Sequence, residues 1–295
     1  MRRREFLATI PAVALAKERH VRLGVGTGVY QAHPMAEAAR MIKAAGFSCV
    51  HLAWRFADVR FDPYNPDWSY PRRARDVFGE AGLRIDAVYG YVSLVHPDPD
   101  TRARNVRALI GILEHARDFG TPNVATETGS FHPNQRNNPL PDDPAAGWKQ
   151  FIGTIRELAK VAESAGAQLA VEPSLATSLG TVEDAGRMLH EVPSPNLKIL
   201  WDAAHVFNAG NIRNMKAELN KAYRTFGSKV VHAHANDARL EPDGTVKFGE
   251  AGSGQLDYTT YIALLEKLNR DVSITLEHCQ EADIPRVRDY VAKFL

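Results

Sequence analysis

Four apolar runs in the second half of the chain each end in a side chain that can hold a cation or move a proton. Ala170 and Val171 lead into Glu172, Leu200 and Trp201 into Asp202, Val230 and Val231 into His232 and His234, and Ile274 to Leu276 into Glu277. His232 and His234 are two apart. That spacing puts both imidazoles on one side of a strand, but about 200° apart on a helix. Two or three carboxylates with one imidazole make a mainly hard, mixed oxygen and nitrogen donor set. With no thiolate among them, the set is unlike a structural zinc cage. It suits one divalent ion, Mn2+, Mg2+ or Co2+, with positions left for substrate oxygens, and Zn2+ is admissible. Any one of these residues is also an ordinary polar group at a strand end. Their succession on four consecutive runs is what points to a metal ion.

Such a site needs a scaffold that brings four strand ends together. From Arg22 onward, apolar runs at 22–27, 48–52, 84–89, 123–127, 168–172, 197–202, 229–234 and 273–277 alternate with helical patterns at 35–45, 70–81, 99–119, 146–165, 181–191, 211–226, 258–268 and 283–294. Gly46, Gly82, Gly120 and Gly166 stand where the first four helices should stop. Strict alternation requires parallel pairing. At 295 residues, a single (β/α)8 TIM barrel in the α/β class is the economical closure. The competing arrangement is an open doubly wound sheet, which a G-x-G-x-x-G turn after the first strand would favour. Gly24, Gly26 and Gly28 are spaced differently and no helix opens there, so they read as points of close backbone approach near a site. The connections 54–68, 129–145, 203–210 and 236–256 are long and rich in Asp, Asn, Pro and Gly. In a barrel they share the C-terminal face, where sites are built.

Composition narrows the function classes. Lys and Arg number 36 against 35 Asp and Glu, a net charge of +1, so nothing favours nucleic acid or a membrane surface as partner. Cys49 and Cys279 are too few for a disulfide framework. No apolar run reaches the roughly 18 residues that a membrane span needs. Residues 1–16 differ in kind from the rest, with a basic start, a short apolar run and a small-residue ending near Ala16. They read as a secretory signal. Arg3, Arg4, Glu5, Phe6 and Leu7 resemble the twin-arginine export signature. The expectation is cleavage near Ala16, the barrel at 17–295, the twin-arginine export machinery as partner and a periplasmic or otherwise exported location. An amphipathic first helix is the alternative. The sequence leaves room for a homo-oligomer without specifying one.

The four strand ends resemble the xylose isomerase-like TIM barrel superfamily, in particular its sugar phosphate isomerase/epimerase family, which includes D-tagatose 3-epimerase, hydroxypyruvate isomerase and inosose dehydratase. The resemblance covers nearly the whole chain after the signal. Its most specific parts are Val171, Glu172 and Pro173; Asp202 with His205; His232, His234 and Asp237; Glu277; and the glycine turn from Gly252 to Asp257. It implies Glu172, Asp202, His234 and Glu277 as metal ligands. It also implies His205 and Arg239 as contacts to substrate oxygens. The epimerases carry a further Glu six residues after the first ligand; here Ser178 stands there, which bears on ketose 3-epimerisation rather than on the metal. The endonuclease IV branch shares the Asp-x-x-His and His-x-Asn-Asp patterns but needs extra histidines after the seventh strand, and 246–254 has none. A nucleic-acid partner is therefore not expected.

A divalent cation chelating a carbonyl and its neighbouring hydroxyl acidifies the C–H between them and stabilises a cis-enediolate. Glu172 and Glu277 are the catalytic pair that would remove and return the proton. His205 would polarise the carbonyl or shuttle a hydroxyl proton. The expected function is a sugar isomerase or epimerase acting on a small-molecule carbohydrate, a keto-sugar or polyol derivative. A metal-dependent lyase or dehydratase using the same site is one alternative; a non-catalytic exported sugar-binding barrel is another. No glycine-rich phosphate cradle is present, so the substrate is expected to be unphosphorylated. His96 either contacts substrate or starts the next helix, and Glu127 either reaches the pocket or lies in a solvated turn. Trp54, Tyr89, Tyr91 and Phe131 either wall a sugar face or pack the barrel. His232 should pack beneath the metal, Asp237 and Arg239 should follow into the pocket, and His278 should face away from it by strand alternation.

Overall fold

Where apolar runs alternate with helical periods, the chain folds as strand then helix, in a computed structural model that describes residues 20–132 and 141–295. The expected export signal lies outside the described residues. The strands are β1 (Val21–Gly26), β2 (Cys49–Leu52), β3 (Arg84–Tyr89), β4 (Asn123–Thr126), β5 (Gln168–Val171), β6 (Leu197–Asp202), β7 (Val230–Leu240), β8 (Val246–Glu250) and β9 (Val272–Leu276). The helices are α1 (Met35–Ala44), α2 (Tyr70–Glu80), α3 (Pro99–Glu114), α4 (Pro144–Ala165), α5 (Val182–Glu191), α6 (Met215–Phe226), α7 (Tyr258–Glu266) and α8 (Ile284–Ala292). Every pairing of these strands except that of β7 with β8 is parallel. β9 pairs with both β1 and β7, and β6 with β7, so the eight strands other than β8 close into a barrel.

The helices follow from local chemistry. In α1, Met35, Ala38, Ala39 and Ile42 are buried, the spacing of one helical face turned to the sheet. Asp143 caps α4 by accepting from the backbone N–H of Ala145 and Ala146, and Pro144 fills the first turn. That helix therefore begins two residues before the expected 146. The pattern at 99–119 divides: α3 ends at Glu114 and a tighter 3-10 turn covers Ala116–Phe119. A left-handed Gly120 then closes it.

One strand, β8, lies where a loop is expected. β7 does not stop at 234 but runs to Leu240, where its outer half pairs antiparallel with β8, from Asn236 opposite Glu250 to Leu240 opposite Val246. A local hairpin keeps the chain extended although Asn236, Asp237 and Arg239 erase the apolar signature of a strand. This hairpin rises from the C-terminal rim.

The main core fills the space between strands and helices. Inside the barrel the filling is different: a small apolar cluster of Ala125, Ala170 and Leu200, alongside buried polar side chains His51, His232, His234, Ser273 and Thr275. Gly24 is required here, because a Cβ would come within 2.6 Å of the Cys49 carbonyl oxygen. Two ladder slips adjust the register, one between β2 and β3 at Val50/His51 and one between β6 and β7 at Ile199/Leu200. Such irregularities re-aim side chains near sites, and the second leaves Asp202 directly opposite His234. Among the described residues, no helix is long and apolar enough to cross a membrane.

Candidate metal centre

The barrel brings the four strand-end residues to one point. Glu172 follows β5, Asp202 ends β6, His234 sits within β7 and Glu277 follows β9. His234 Nδ1 is the focus, 3.5 Å from Glu172 Oε1, 3.8 Å from Asp202 Oδ2 and 3.3 Å from Glu277 Oε2. This nitrogen is buried and has no hydrogen-bond partner among the described residues. Donors about 2.0–2.2 Å from a shared ion stand roughly 3–3.5 Å from one another, so the set fits one cation with little rearrangement. Oxygen donors with one imidazole suit a hard divalent ion.

Each carboxylate is oriented from behind. Tyr91 donates its hydroxyl to Glu172 Oε2 at 2.9 Å, and Tyr89 donates to Glu277 Oε1 at 2.7 Å. Asp202 accepts from the Ala204 backbone N–H at 2.9 Å and from Asn236 Nδ2 at 2.5 Å. His205 Nδ1 lies 3.1 Å from Glu172 Oε1 and 3.4 Å from Asp202 Oδ2. Burial and the nearby carboxylates push both tyrosine hydroxyls well above their usual range, which keeps them protonated donors.

The charges are interdependent. Burial alone would raise Glu277, but His234 and His51 outweigh it and hold the carboxyl at about 2. Glu172 is likewise driven well below its usual value, with His234 and His205 overcoming burial. Burial opposes the charged forms of His205 and His234 as well. Asp202 and Glu172 nonetheless lift His205 to about 10, and Glu277 and Glu172 lift His234 to about 9. His51 and His232 go the other way: burial, reinforced by the neighbouring imidazoles, pushes both down and outweighs Glu277 and Glu172 at His51 and Glu172 at His232.

A cavity of about 680 Å³ opens over this cluster, with Tyr91, His96, Glu127, His205, Phe248 and His278 among its walls. That volume is in the range of small-molecule sites. His205 and His96 thus both reach the cavity. The Glu127 carboxylate gathers within 4.8 Å of donor atoms of Glu172 and His205.

Arg239 is not brought to the site. Its guanidinium pairs with Glu241 at 2.7 Å and donates to the Ser253 carbonyl at 3.2 Å, half-exposed on the hairpin. The expectation assumed a free loop after residue 234; continued strand alternation turns this side chain outward instead. Asp237 also leaves the pocket. It is buried and accepts from the backbone N–H groups of Gly252 at 2.9 Å and Leu256 at 2.8 Å, pinning the glycine turn. His278 errs the other way. β9 ends at Leu276 and His278 takes a left-handed φ of 53°, a kink that returns its ring to the cavity wall.

Tyr89 and Tyr91 act through their hydroxyls as much as their faces. Trp54 supports from outside, donating Nε1 to the Tyr89 carbonyl at 2.8 Å, and Phe131 packs on the core. His232 lies beneath, with Nε2 3.0 Å from Thr275 Oγ1. Ser178 is buried and donates to Thr128 Oγ1 at 2.9 Å. One central residue is not among the expected ones: His51, on β2 inside the barrel, whose Nδ1 lies 3.1 Å from His234 Nε2. Its signal was a polar residue near the end of the run Cys49–Leu52, but no acidic neighbour drew attention to it.

Comparison with known proteins bears on the family and the fold. The family described as xylose isomerase-like TIM barrel matches residues 39–294. An inosose dehydratase from Glaesserella parasuis is 24% identical over 161 residues, 50% of this chain and 52% of that protein. A D-psicose 3-epimerase from Ruminiclostridium cellulolyticum is 24% identical over 167 residues, 54% of each. The chain spans about half the length of these curated relatives. Among solved structures, the 3-keto-D-glucoside 4-epimerase from E. coli superposes with a TM-score of 0.69 at 18% identity, covering 92% of this chain and 99% of that one. A xylose isomerase-like TIM barrel protein from Mycobacterium smegmatis in complex with magnesium gives 0.68 at 18% identity, covering 92% and 96%. At such identities these likenesses speak to the fold.

Proposed function

The chain belongs to the xylose isomerase-like TIM barrel family, and from that premise we propose that it is a divalent-metal-dependent isomerase or epimerase acting on a keto-sugar or polyol derivative. The observation that carries this reading is the convergence of three carboxylates on His234 Nδ1, a buried nitrogen with no hydrogen-bond partner among the described residues. Crowding buried carboxylates is costly unless a cation compensates them. Glu172, Asp202, His234 and Glu277 would hold the ion, and Mn2+, Mg2+ or Co2+ suit the donors best. Such an ion, when bound, polarises a carbonyl and its neighbouring hydroxyl and acidifies the C–H between them.

The protein's own residues do the rest. Glu172 and Glu277, whose carboxyls lie below their usual range in the metal-free protein, are the ionised pair that would accept and return the proton. The Tyr91 and Tyr89 hydroxyls fix the carboxylate planes. Removing a proton from one face of a carbon and returning one to the other face inverts it; returning it to the neighbouring carbon isomerises the sugar. His205, which Asp202 and Glu172 keep protonated in the metal-free protein, lines the cavity wall and would hydrogen-bond a substrate oxygen.

That acid also supports a second reading, loss of water from a keto-sugar. A dehydratase must protonate a departing hydroxyl, and the inosose dehydratase relative makes this the competing reaction. The arginine-rich start adds export to the proposal: a protein that folds and loads its ion before twin-arginine transport would work in the periplasm on unphosphorylated sugars.

The test is metal analysis of the purified protein, followed by incubation with a panel of keto-sugars and polyol-derived ketones in deuterated water with Mn2+ or Mg2+ added. Bound divalent ion and deuterium at the carbon beside the carbonyl are expected. NMR of the product separates inversion, carbonyl migration and water loss. An ion-free protein that binds sugars without exchange would instead be a sugar-binding barrel.

A further inference from the structure

A metal-ligating histidine usually directs its second ring nitrogen at a carboxylate, a backbone carbonyl or water. His234 directs it at another imidazole. Its Nε2 lies 3.1 Å from His51 Nδ1, across the barrel interior between β7 and β2, and both rings are buried. For His234 Nδ1 to offer a lone pair to an ion, the ring proton must sit on Nε2. A proton there needs an acceptor, and His51 Nδ1 is the group in place. Glu277 Oε1 is the rival neighbour of His51 Nδ1, but it is 3.6 Å away and already accepts from Tyr89.

His51 must then carry its own proton on Nε2. That nitrogen is buried without a hydrogen-bond partner among the described residues. An unsatisfied buried N–H is a cost that an apolar side chain would avoid, so the reason for a histidine here lies on the other edge of the ring. The surroundings hold that ring still. It packs edge-on against Tyr89 at 4.4 Å and His232 at 4.8 Å between centroids, next to the slip in the β2–β3 ladder.

We propose that His51 is a positioning residue for the metal centre: in its Nε2–H tautomer it accepts the proton of His234 Nε2, and so determines which nitrogen His234 presents to the ion and at what angle. This role rests on the metal-binding reading above.

Asparagine and glutamine at position 51 separate the possibilities, because an Asn amide oxygen falls near the place of Nδ1 and a Gln oxygen near that of Nε2. Mn2+ affinity is measured by calorimetry on the full chain, and the Co2+ form is examined by visible absorption. His51→Asn is expected to retain native affinity. His51→Gln is expected to lose about 10–100-fold and to shift the Co2+ bands, since a re-aimed imidazole changes the ligand field. Equal affinities in the two variants, both native-like or both weak, overturn the role. If either variant fails to fold, the native protein decides: with Mg2+ bound, long-range proton–nitrogen NMR must find His51 protonated on Nε2, and a proton on Nδ1 overturns the role. A native protein that takes up no divalent ion fails earlier, at the metal reading itself.

Discussion

The two halves of the barrel bring different chemistry to one place. β5 to β9 supply charge: Glu172, Asp202, His205, His234 and Glu277. β2 and β3, with the residues that follow β3, supply neutral groups: His51, Tyr89 and Tyr91. The pairing between them is nearly one to one. Tyr91 donates to Glu172, Tyr89 donates to Glu277, and His51 stands behind His234. Asp202 is the exception, oriented from its own half by the Ala204 backbone and Asn236. On the proposed reading, one half would hold the ion and the other would aim its ligands without adding charge. A further carboxylate in place of either tyrosine would deepen the repulsion that the ion must offset. A hydroxyl whose pKa is driven upward gives direction alone.

Breaking the charged half should have the largest effect. Glu277→Gln keeps the shape but removes the charge of a proposed ligand and proton acceptor, so kcat/KM on the exchanged keto-sugar should fall about 10²–10⁴-fold, with weaker ion binding. Activity close to native would show that the charged half is not the reactive one.

The next effect comes from the proton that competes for the same nitrogen. In the metal-free protein, burial lowers the His234 pKa, but Glu277 and Glu172 outweigh it and raise it to about 9 from the usual 6.5. Because the folded value is raised, protonation stabilises the metal-free fold fully below 6.5, and this contribution is lost as pH rises through about 9. Metal uptake must expel that proton. Apparent affinity should therefore rise about tenfold per pH unit up to about pH 9 and then level off. Calorimetry in buffers of different ionisation enthalpy should register one proton released per ion. A flat profile would mean that the charged half does not hold the proton where the geometry indicates.

The neutral half should break more gently. Tyr89→Phe removes one hydrogen bond to Glu277 while sparing every charge. Hydrogen bonds to charged groups contribute roughly 1.5–3 kcal/mol, so kcat/KM should fall about 10–100-fold with most ion binding kept. A loss as large as that of Glu277→Gln would erase the division between the halves.

This same division explains what was legible in the sequence. The barrel was readable because apolar runs and helical periods alternate without interruption. The charged half was readable because Glu172, Asp202, His234 and Glu277 are conspicuous at the ends of such runs. The neutral half was not. Tyr89 and Tyr91 look like packing, and where their hydroxyls point depends on β3's register and on the small Ala125 and Ala170 beside Tyr91. His51 depends on closure of the barrel from β2 to β7. His278 was misplaced because alternation presumes that the strand continues, and a single left-handed residue ended it.

The smallest effect is expected where resemblance and geometry part. Resemblance implies that Arg239 contacts substrate, which would make it a sixth member of the charged half. The structure ties it to Glu241 and the Ser253 carbonyl on the outward side of the hairpin. Glu241 has a second cation nearby in Lys247, at 3.6 Å, so losing the arginine does not strand its carboxylate. Exposed ion pairs contribute little to stability. Arg239→Ala should therefore leave the melting temperature and ion affinity unchanged and alter kcat/KM by no more than about twofold. If KM instead rises severalfold while ion binding holds, the β7–β8 hairpin must turn inward around substrate. The charged half would then be completed by the ligand rather than by the fold, and Phe248, on the same hairpin and already at the cavity wall, would have to move with it.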